Sequence, residues 1–177
     1  MPHLIVIYGA PLTGKSSLAR EVVRALDGKS AIVSVDALFE DAIQVHDPDA
    51  YAELEMVHMQ ARLLVANYLK NGYNVVLEGA FYYERDGVLL RHEQEIDQTL
   101  ALMRNLAQAP LVVQLSASPE TLTRRAEAAP ASRNIDAALR IDAAYKQRYG
   151  SRSLHLTTDV VPVAELATRV LERLRLG

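Results

Sequence analysis

The sequence predicts an open α/β fold, a parallel sheet covered by helices on both faces. Three observations carry this. Short apolar runs alternate with helical patterns along the chain. Two runs, Val75-Val76-Leu77 and Leu111-Val112-Val113, are apolar at consecutive positions, as strands buried on both faces are. A glycine-bounded loop at residues 9–16 separates the first apolar run from the first helical pattern. With 177 residues and 50% hydrophobic content, a single domain spanning 1–177 with a substantial core is expected.

The first strand is read at 3–8, where Leu4-Ile5-Val6-Ile7-Tyr8 leads into the loop, and a helix follows from Ser16 to Leu26. A second strand is read at 31–35, before a short helix at 37–41. Asp47-Pro48 is an N-cap with proline at the first helical position; the helix it starts carries Tyr51, Leu54, Ala61, Val65 and Tyr68 on one stripe and closes at Asn71-Gly72. Strands at 73–78 and 111–115 come next. Ser118-Pro119-Glu120 repeats the cap-and-proline device before a helix at 121–129. The fifth strand is read at 154–156, and the last helix, from about 162, carries Val163, Leu166, Val170, Leu171 and Leu174. Right-handed crossovers bring the carboxyl ends of such strands to one rim, where ligands bind.

Gly9-Ala10-Pro11-Leu12-Thr13-Gly14-Lys15-Ser16 fits G-x-x-x-x-G-K-[ST], in the strand–loop–helix context that a phosphate-binding loop needs. Backbone N–H groups of the loop, through Ser17, converge on a polyphosphate, and the helix aims its positive dipole end at it. Gly9 and Gly14 permit the bend and the close approach. Lys15 reaches the β/γ-phosphates, and the Ser16 hydroxyl suits Mg²⁺, a hard ion. Pro11 removes a donor that the loop can spare. A ligand bearing phosphates, with Mg²⁺, is the expectation from the loop itself.

The composition excludes much. A net charge of −3 with 23% charged residues argues against a nucleic-acid partner, and the lack of cysteine excludes disulfides and thiolate metal sites. The short N-terminal apolar run has no basic lead and ends in the glycine loop, so no signal peptide is expected. No stretch approaches the roughly 18 apolar residues of a membrane span. A cytoplasmic location is the expectation.

The strand-end rim supplies the remaining candidates. Asp36 is read as a general base or a Mg²⁺-associated carboxylate; it could equally cap the short helix after it. Glu78, ending the third strand, is read as a metal-supporting carboxylate or as a strand-end charge paired with a neighbour. Phe81-Tyr82-Tyr83 could wall an acceptor pocket or cover the end of the sheet. Arg124 is read as a solvated helix residue. Arg125 and Arg133 are read as cations of a basic segment closing over ATP, with 126–134 as a short lid. His58 lies on an apolar stripe and is read as a buried, satisfied histidine; Arg62, one turn on, could hold an anionic acceptor. His46, Asp47 and Asp49 do not make a metal set, because the helix cap already explains Asp47.

On these residues the chain resembles the small P-loop kinases, the group that includes chloramphenicol phosphotransferase, zeta-toxin-like kinases and adenylylsulfate or gluconate kinases. Val35-Asp36-Ala37-Leu38-Phe39-Glu40 is similar to the chloramphenicol phosphotransferase stretch that carries its catalytic aspartate. Leu154-His155-Leu156-Thr157-Thr158-Asp159 is similar to the final strand of these kinases, whose following loop lies near the adenine. The resemblance implies a three-layer P-loop NTPase fold with a five-stranded parallel sheet in order 2-3-1-4-5, ATP·Mg²⁺, and transfer of the γ-phosphoryl group to a small-molecule hydroxyl. Two departures stand out. Phe39 occupies a position where polynucleotide-kinase-like relatives often have Arg, and Ala129 one where a second Arg is common.

The expected activity is therefore that of an ATP-dependent phosphotransferase acting on a small metabolite or antibiotic. Residues 36–72 form its acceptor side, Lys15, Asp36, Arg125 and Arg133 are catalytic, and Ser16 and Glu78 serve the metal. On this reading Asp36→Asn lowers turnover and leaves ATP affinity nearly unchanged. A nucleoside or nucleotide kinase is the second reading, and a nucleotide-dependent switch or slow NTPase acting on a protein partner is the third. Residues 36–72 offer only Arg62 and Lys70 as cations against many carboxylates, which weakens the second.

Overall fold

The computed structural model describes residues 1–42, 51–85, 88–92, 94–129, 134–148 and 153–176. Its centre is β1 (His3–Gly9), in parallel register between β3 (Asn74–Gly79) and β6 (Gln108–Ser116), with Val6 beside Leu77 on one side and Val112 on the other. β2 (Ser30–Ser34) pairs with β3, and β7 (Leu154–Thr157) with β6. The order β2-β3-β1-β6-β7 is the predicted 2-3-1-4-5 arrangement, β6 and β7 being the fourth and fifth strands of the sheet.

Strand side chains alternate between faces, which sorts the core into two layers. Leu4, Val6 and Tyr8 of β1 point to one side, against Val57, Ala61 and Val65 of α3 (Tyr51–Lys70), Ile96 and Met103 of α4 (Gln94–Met103), and Ile141 and Tyr145 of α6 (Ile135–Arg148). Ile5 and Ile7 point to the other, against Leu18, Ala19 and Val22 of α1 (Lys15–Ala25) and Leu166, Ala167 and Val170 of α7 (Val163–Arg175). The result is the three-layer P-loop α/β fold. Among the described residues no helix is long and apolar enough to cross a membrane.

The punctuation read from the sequence is largely present. Ser118 Oγ accepts from Thr121 N at 3.2 Å and Pro119 opens α5 (Pro119–Glu127). At the end of α3 the Tyr73 amide returns to Tyr68 O at 3.0 Å. Asp47 and Pro48 lie outside the described residues. After β2, the predicted helix at 37–41 is a three-residue helical turn, α2 (Val35–Ala37), running into a π-helical turn at Leu38–Ala42. Its cap is Ser34, whose Oγ accepts from Ala37 N at 3.2 Å, which leaves the Asp36 carboxylate for other partners.

Not foreseen were α4, α6 and an antiparallel pair, β4 (Tyr82–Arg85) with β5 (Val88–Arg91). The sequence does mark the pair: Asp86-Gly87 is a two-residue hairpin signal between two runs of four. Tyr145 of α6 holds this pair to the sheet. Its ring stacks on Tyr82 at 4.3 Å and meets Tyr8 edge-on at 5.1 Å, and its hydroxyl accepts from Phe81 N at 2.9 Å.

Candidate nucleotide and acceptor site

The loop at residues 9–16 leaves β1 at Gly9, where a Cβ would stand 2.5 Å from the Leu115 carbonyl oxygen of β6. Only glycine lets the chain pass this close to the neighbouring strand. Gly14, with φ of 94°, turns the loop into α1, and Leu12 adopts a left-handed φ of 68°, a strained setting for a branched side chain. Thr13 Oγ1 donates to Ala10 O at 2.8 Å, closing the loop on itself.

Lys15 is nearly buried. Its Nζ donates to Ala10 O at 3.3 Å and stands 3.5 Å from Asp36 Oδ2. Asp36 Oδ1 accepts from Ala80 N at 2.9 Å, so the carboxylate bridges the phosphate loop and the end of β3. Ser16 Oγ donates to Glu78 Oε1 at 3.2 Å. Glu78 Oε2 is buried and has no hydrogen-bond partner among the described residues, an orphaned anionic oxygen beside the Ser16 hydroxyl. This oxygen-only pair is of the donor type that would suit Mg²⁺, a hard ion. Among the described residues no group of three His, Asp or Glu side chains could hold a metal by itself.

Arg125 takes a position that spacing alone did not suggest. Its guanidinium donates to Leu12 O at 2.9 Å, to Thr158 Oγ1 at 2.9 Å and to Thr158 O at 2.6 Å. Thr158 Oγ1 in turn donates to Thr13 O at 2.9 Å. Burial pulls the Arg125 pKa below its ordinary value, with Asp159 opposing that shift. Asp159 Oδ1 accepts from Ser118 N at 2.7 Å, the bond chiefly responsible for holding its carboxyl below the usual range. In this structure Arg125 thus ties the strained loop to the segment after β7. Arg133 lies outside the described residues, as do residues 130–132 of the expected lid.

Other candidates separate. Arg62 does not face the cleft: it pairs with the buried Glu95 of α4, and both are largely shielded from solvent. His58 is buried as expected, stacked between Phe81 at 5.5 Å and His92 at 5.6 Å. Burial, then His92 and Arg62, lower its pKa to about 3, so the ring is neutral. Of the aromatic run, Phe81 and Tyr82 are buried at the end of the sheet, Tyr82 and Tyr83 both line the cleft, and Tyr83 stacks on Phe39 at 5.5 Å.

These elements enclose a cleft of about 910 Å³. One end is the phosphate loop with Arg125, Thr158, Val161 and Leu166; the other holds Asp36, Phe39, Tyr83 and Ile141. Phe39, Thr158 and Ile141 were missed as site residues. Only position at a strand end marked Thr158, and nothing local marks Ile141.

A five-stranded parallel sheet with this loop at the end of its central strand defines a P-loop nucleotide-binding fold. The family model for the AAA domain matches residues 4–152, most of the chain, and the chain belongs to that family. No curated protein matches it by sequence. Among solved structures, a sugar kinase from Janibacter sp. HTCC2649 is similar over 100% of this chain and 96% of its own, at 12% identity and TM-score 0.68. A thymidylate kinase from Candida albicans is similar over 99% and 92%, at 13% identity and TM-score 0.67. A shikimate kinase from Aquifex aeolicus is similar over 97% and 96%, at 15% identity and TM-score 0.60. At such identities the likeness is one of fold.

Proposed function

We propose that the protein is an ATP-dependent phosphotransferase that moves the γ-phosphoryl group to a hydroxyl of a small molecule. The observation that carries this is Asp36: a carboxylate 3.5 Å from the Lys15 ammonium, at the acceptor end of a cleft whose other end is the phosphate loop. The loop amides and the N-terminus of α1 hold the triphosphate. Lys15 moves from Asp36 to the β/γ-phosphates, where charge accumulates in the transition state. Asp36 accepts the acceptor's hydroxyl proton as its oxygen bonds to the γ-phosphorus and the bond to the ADP oxygen breaks. Ser16 and Glu78 would support a bound Mg²⁺, which would supply charge neutralisation for the transferring group. Arg125 keeps the loop in its binding shape, and Arg133, from the expected lid, is the second cation. The apolar Val161 and Leu166 suit the base of the nucleotide. Kinase neighbours of the same fold support the class.

The test is a panel of metabolites and antibiotics bearing hydroxyl groups, read by acceptor-dependent ADP release and by mass spectrometry of the acceptor. A gain of 80 Da on an acceptor, which is the mass of one added phosphoryl group, is expected. Nucleotide turnover that no acceptor stimulates, and that answers to a protein partner instead, would replace this reading with the switch.

A further inference from the structure

Helix α3 is apolar on two opposite faces. One is the core face, where Val57, Ala61, Val65 and Leu69 are buried. The other is open to solvent and carries Ala52, Met56, Met59, Leu63, Asn67 and Lys70 at helical spacing. Met56 is 40% exposed, Met59 44% and Leu63 57%, three large apolar side chains on successive turns of one stripe. The helices on the other side of the sheet are built differently. The outer face of α1 carries Arg20 and Arg24, and that of α7 carries Glu165, Arg169, Glu172 and Arg173. A helix apolar on both sides is one that is covered on both sides.

Charge along the stripe says what covers it. The exposed Glu55 stands near the start of α3 and the exposed Lys70 at its end. A second α3 running antiparallel brings unlike ends together and opposes the two helix dipoles. With the two-fold axis level with Ala61, Met59 of each copy meets Leu63 of the other, and Met56 meets Ala66. Asn67 and Lys70 of each copy then lie over Glu55 and Ala52 of the other. The apolar turns thus pair with apolar turns, and the ammonium falls within reach of the carboxylate. Unbranched methionines adapt readily to such self-packing. An anionic membrane surface fits less well, because it calls for Lys and Arg flanking the stripe, and Glu55 flanks it here.

We infer that the outer face of α3 is the interface of a homodimer, formed by antiparallel pairing of this helix with its copy. At 20 residues α3 is about 30 Å long. One helix pair covers less than the roughly 1,600 Å² of a standard interface, so the dissociation constant is expected in the micromolar range.

Sedimentation equilibrium of the full chain between about 1 and about 200 µM tests this, and the mass is expected to climb from one chain toward two across that range. Leu63→Glu puts a charge into both central contacts and is expected to keep the chain monomeric throughout. Its unfolding midpoint, read where the wild type is monomeric, is expected to be unchanged, because Leu63 is exposed in the monomer. Glu55→Lys sets ammonium against ammonium twice per dimer and is expected to weaken association by about tenfold. Glu55→Lys/Lys70→Glu reverses both charges and is expected to restore it to within about twofold of wild type. A wild-type chain that stays monomeric at the top of the range overturns the inference and leaves the face to another partner. A dimer that survives Leu63→Glu overturns it by placing the contact elsewhere. A double reversal that restores nothing overturns the antiparallel arrangement.

Discussion

Asp36→Asn separates two roles that the geometry assigns to one side chain. The amide keeps the shape and can still accept from Ala80 N, but it loses the charge facing Lys15 at 3.5 Å. As the base, Asp36 contributes a factor of roughly 10²–10⁴, so turnover is expected to fall by that amount, about 3–5 kcal/mol in the barrier. ATP binding moves the other way. At an effective dielectric of about 20 the ion pair is worth about 4–5 kcal/mol before desolvation. With Asp36 35% exposed, solvent screening and desolvation leave about 0.5–1 kcal/mol net. Binding the triphosphate requires Lys15 to give up this partner. The Asn variant has nothing to give up, so ATP is expected to bind about two- to fivefold more tightly. The sequence alone suggested unchanged affinity; the ion pair corrects that. Calorimetry with a non-hydrolysable ATP analogue, beside steady-state kinetics, reads both numbers. Wild-type turnover in the variant would refute the base assignment, and weaker ATP binding would refute the ion-pair argument.

Three further outcomes follow from packing and burial. In Gly9→Ala the new methyl group meets Leu115 O at 2.5 Å, backbone of a central strand, so a loss of about 2–3 kcal/mol is expected in denaturant unfolding; an unchanged midpoint would contradict the close approach. Arg62→Met leaves Glu95 buried without its partner and is expected to cost about 3–5 kcal/mol, while Arg62→Met/Glu95→Leu recovers most of it; a double variant no better than the single one would count against the pairing. His58 has a folded pKa of about 3, below its unfolded value, so protons favour the unfolded chain. Its contribution is whole above about pH 6.5 and is lost at up to about 1.4 kcal/mol per pH unit as the pH falls toward 3. His58→Phe is expected to flatten that part of the stability profile, and an unaltered acid limb would place the proton uptake on other groups.

The core strands and the phosphate loop were legible because their signals are local. An apolar run, two glycines and a Lys-Ser pair lie within fourteen residues, 3–16, and a strand buried on both faces shows no alternation to confuse the reading. Asp36 and Glu78 were legible at one remove, through the rule that strand ends share a rim. What escaped depends on distance in the chain. Arg125 meets Leu12, 113 residues away, and Thr158 meets Thr13, 145 away, and no spacing rule connects them. Arg62 looked like a cleft residue until Glu95 arrived from α4, an element the sequence reading did not recognise. Ser34 took the cap position offered to Asp36 because a hydroxyl at the strand end reaches the turn's amides first.

The contact of Thr158 and Arg125 with the phosphate loop links ligand occupancy to the behaviour of the C-terminal third. Leu12 is held in a left-handed conformation that a free chain would leave, and the restraint comes from Arg125 on α5 and Thr158 beyond β7. A triphosphate that immobilises the loop therefore also raises the free energy needed to peel β7 and α7 from the sheet, and loosening α7 must weaken the triphosphate by the same amount. The last helix, which lends Leu166 to the cleft, is therefore expected to share in the affinity for a nucleotide, and slowed amide exchange along α7 on adding one is the measurement that checks it.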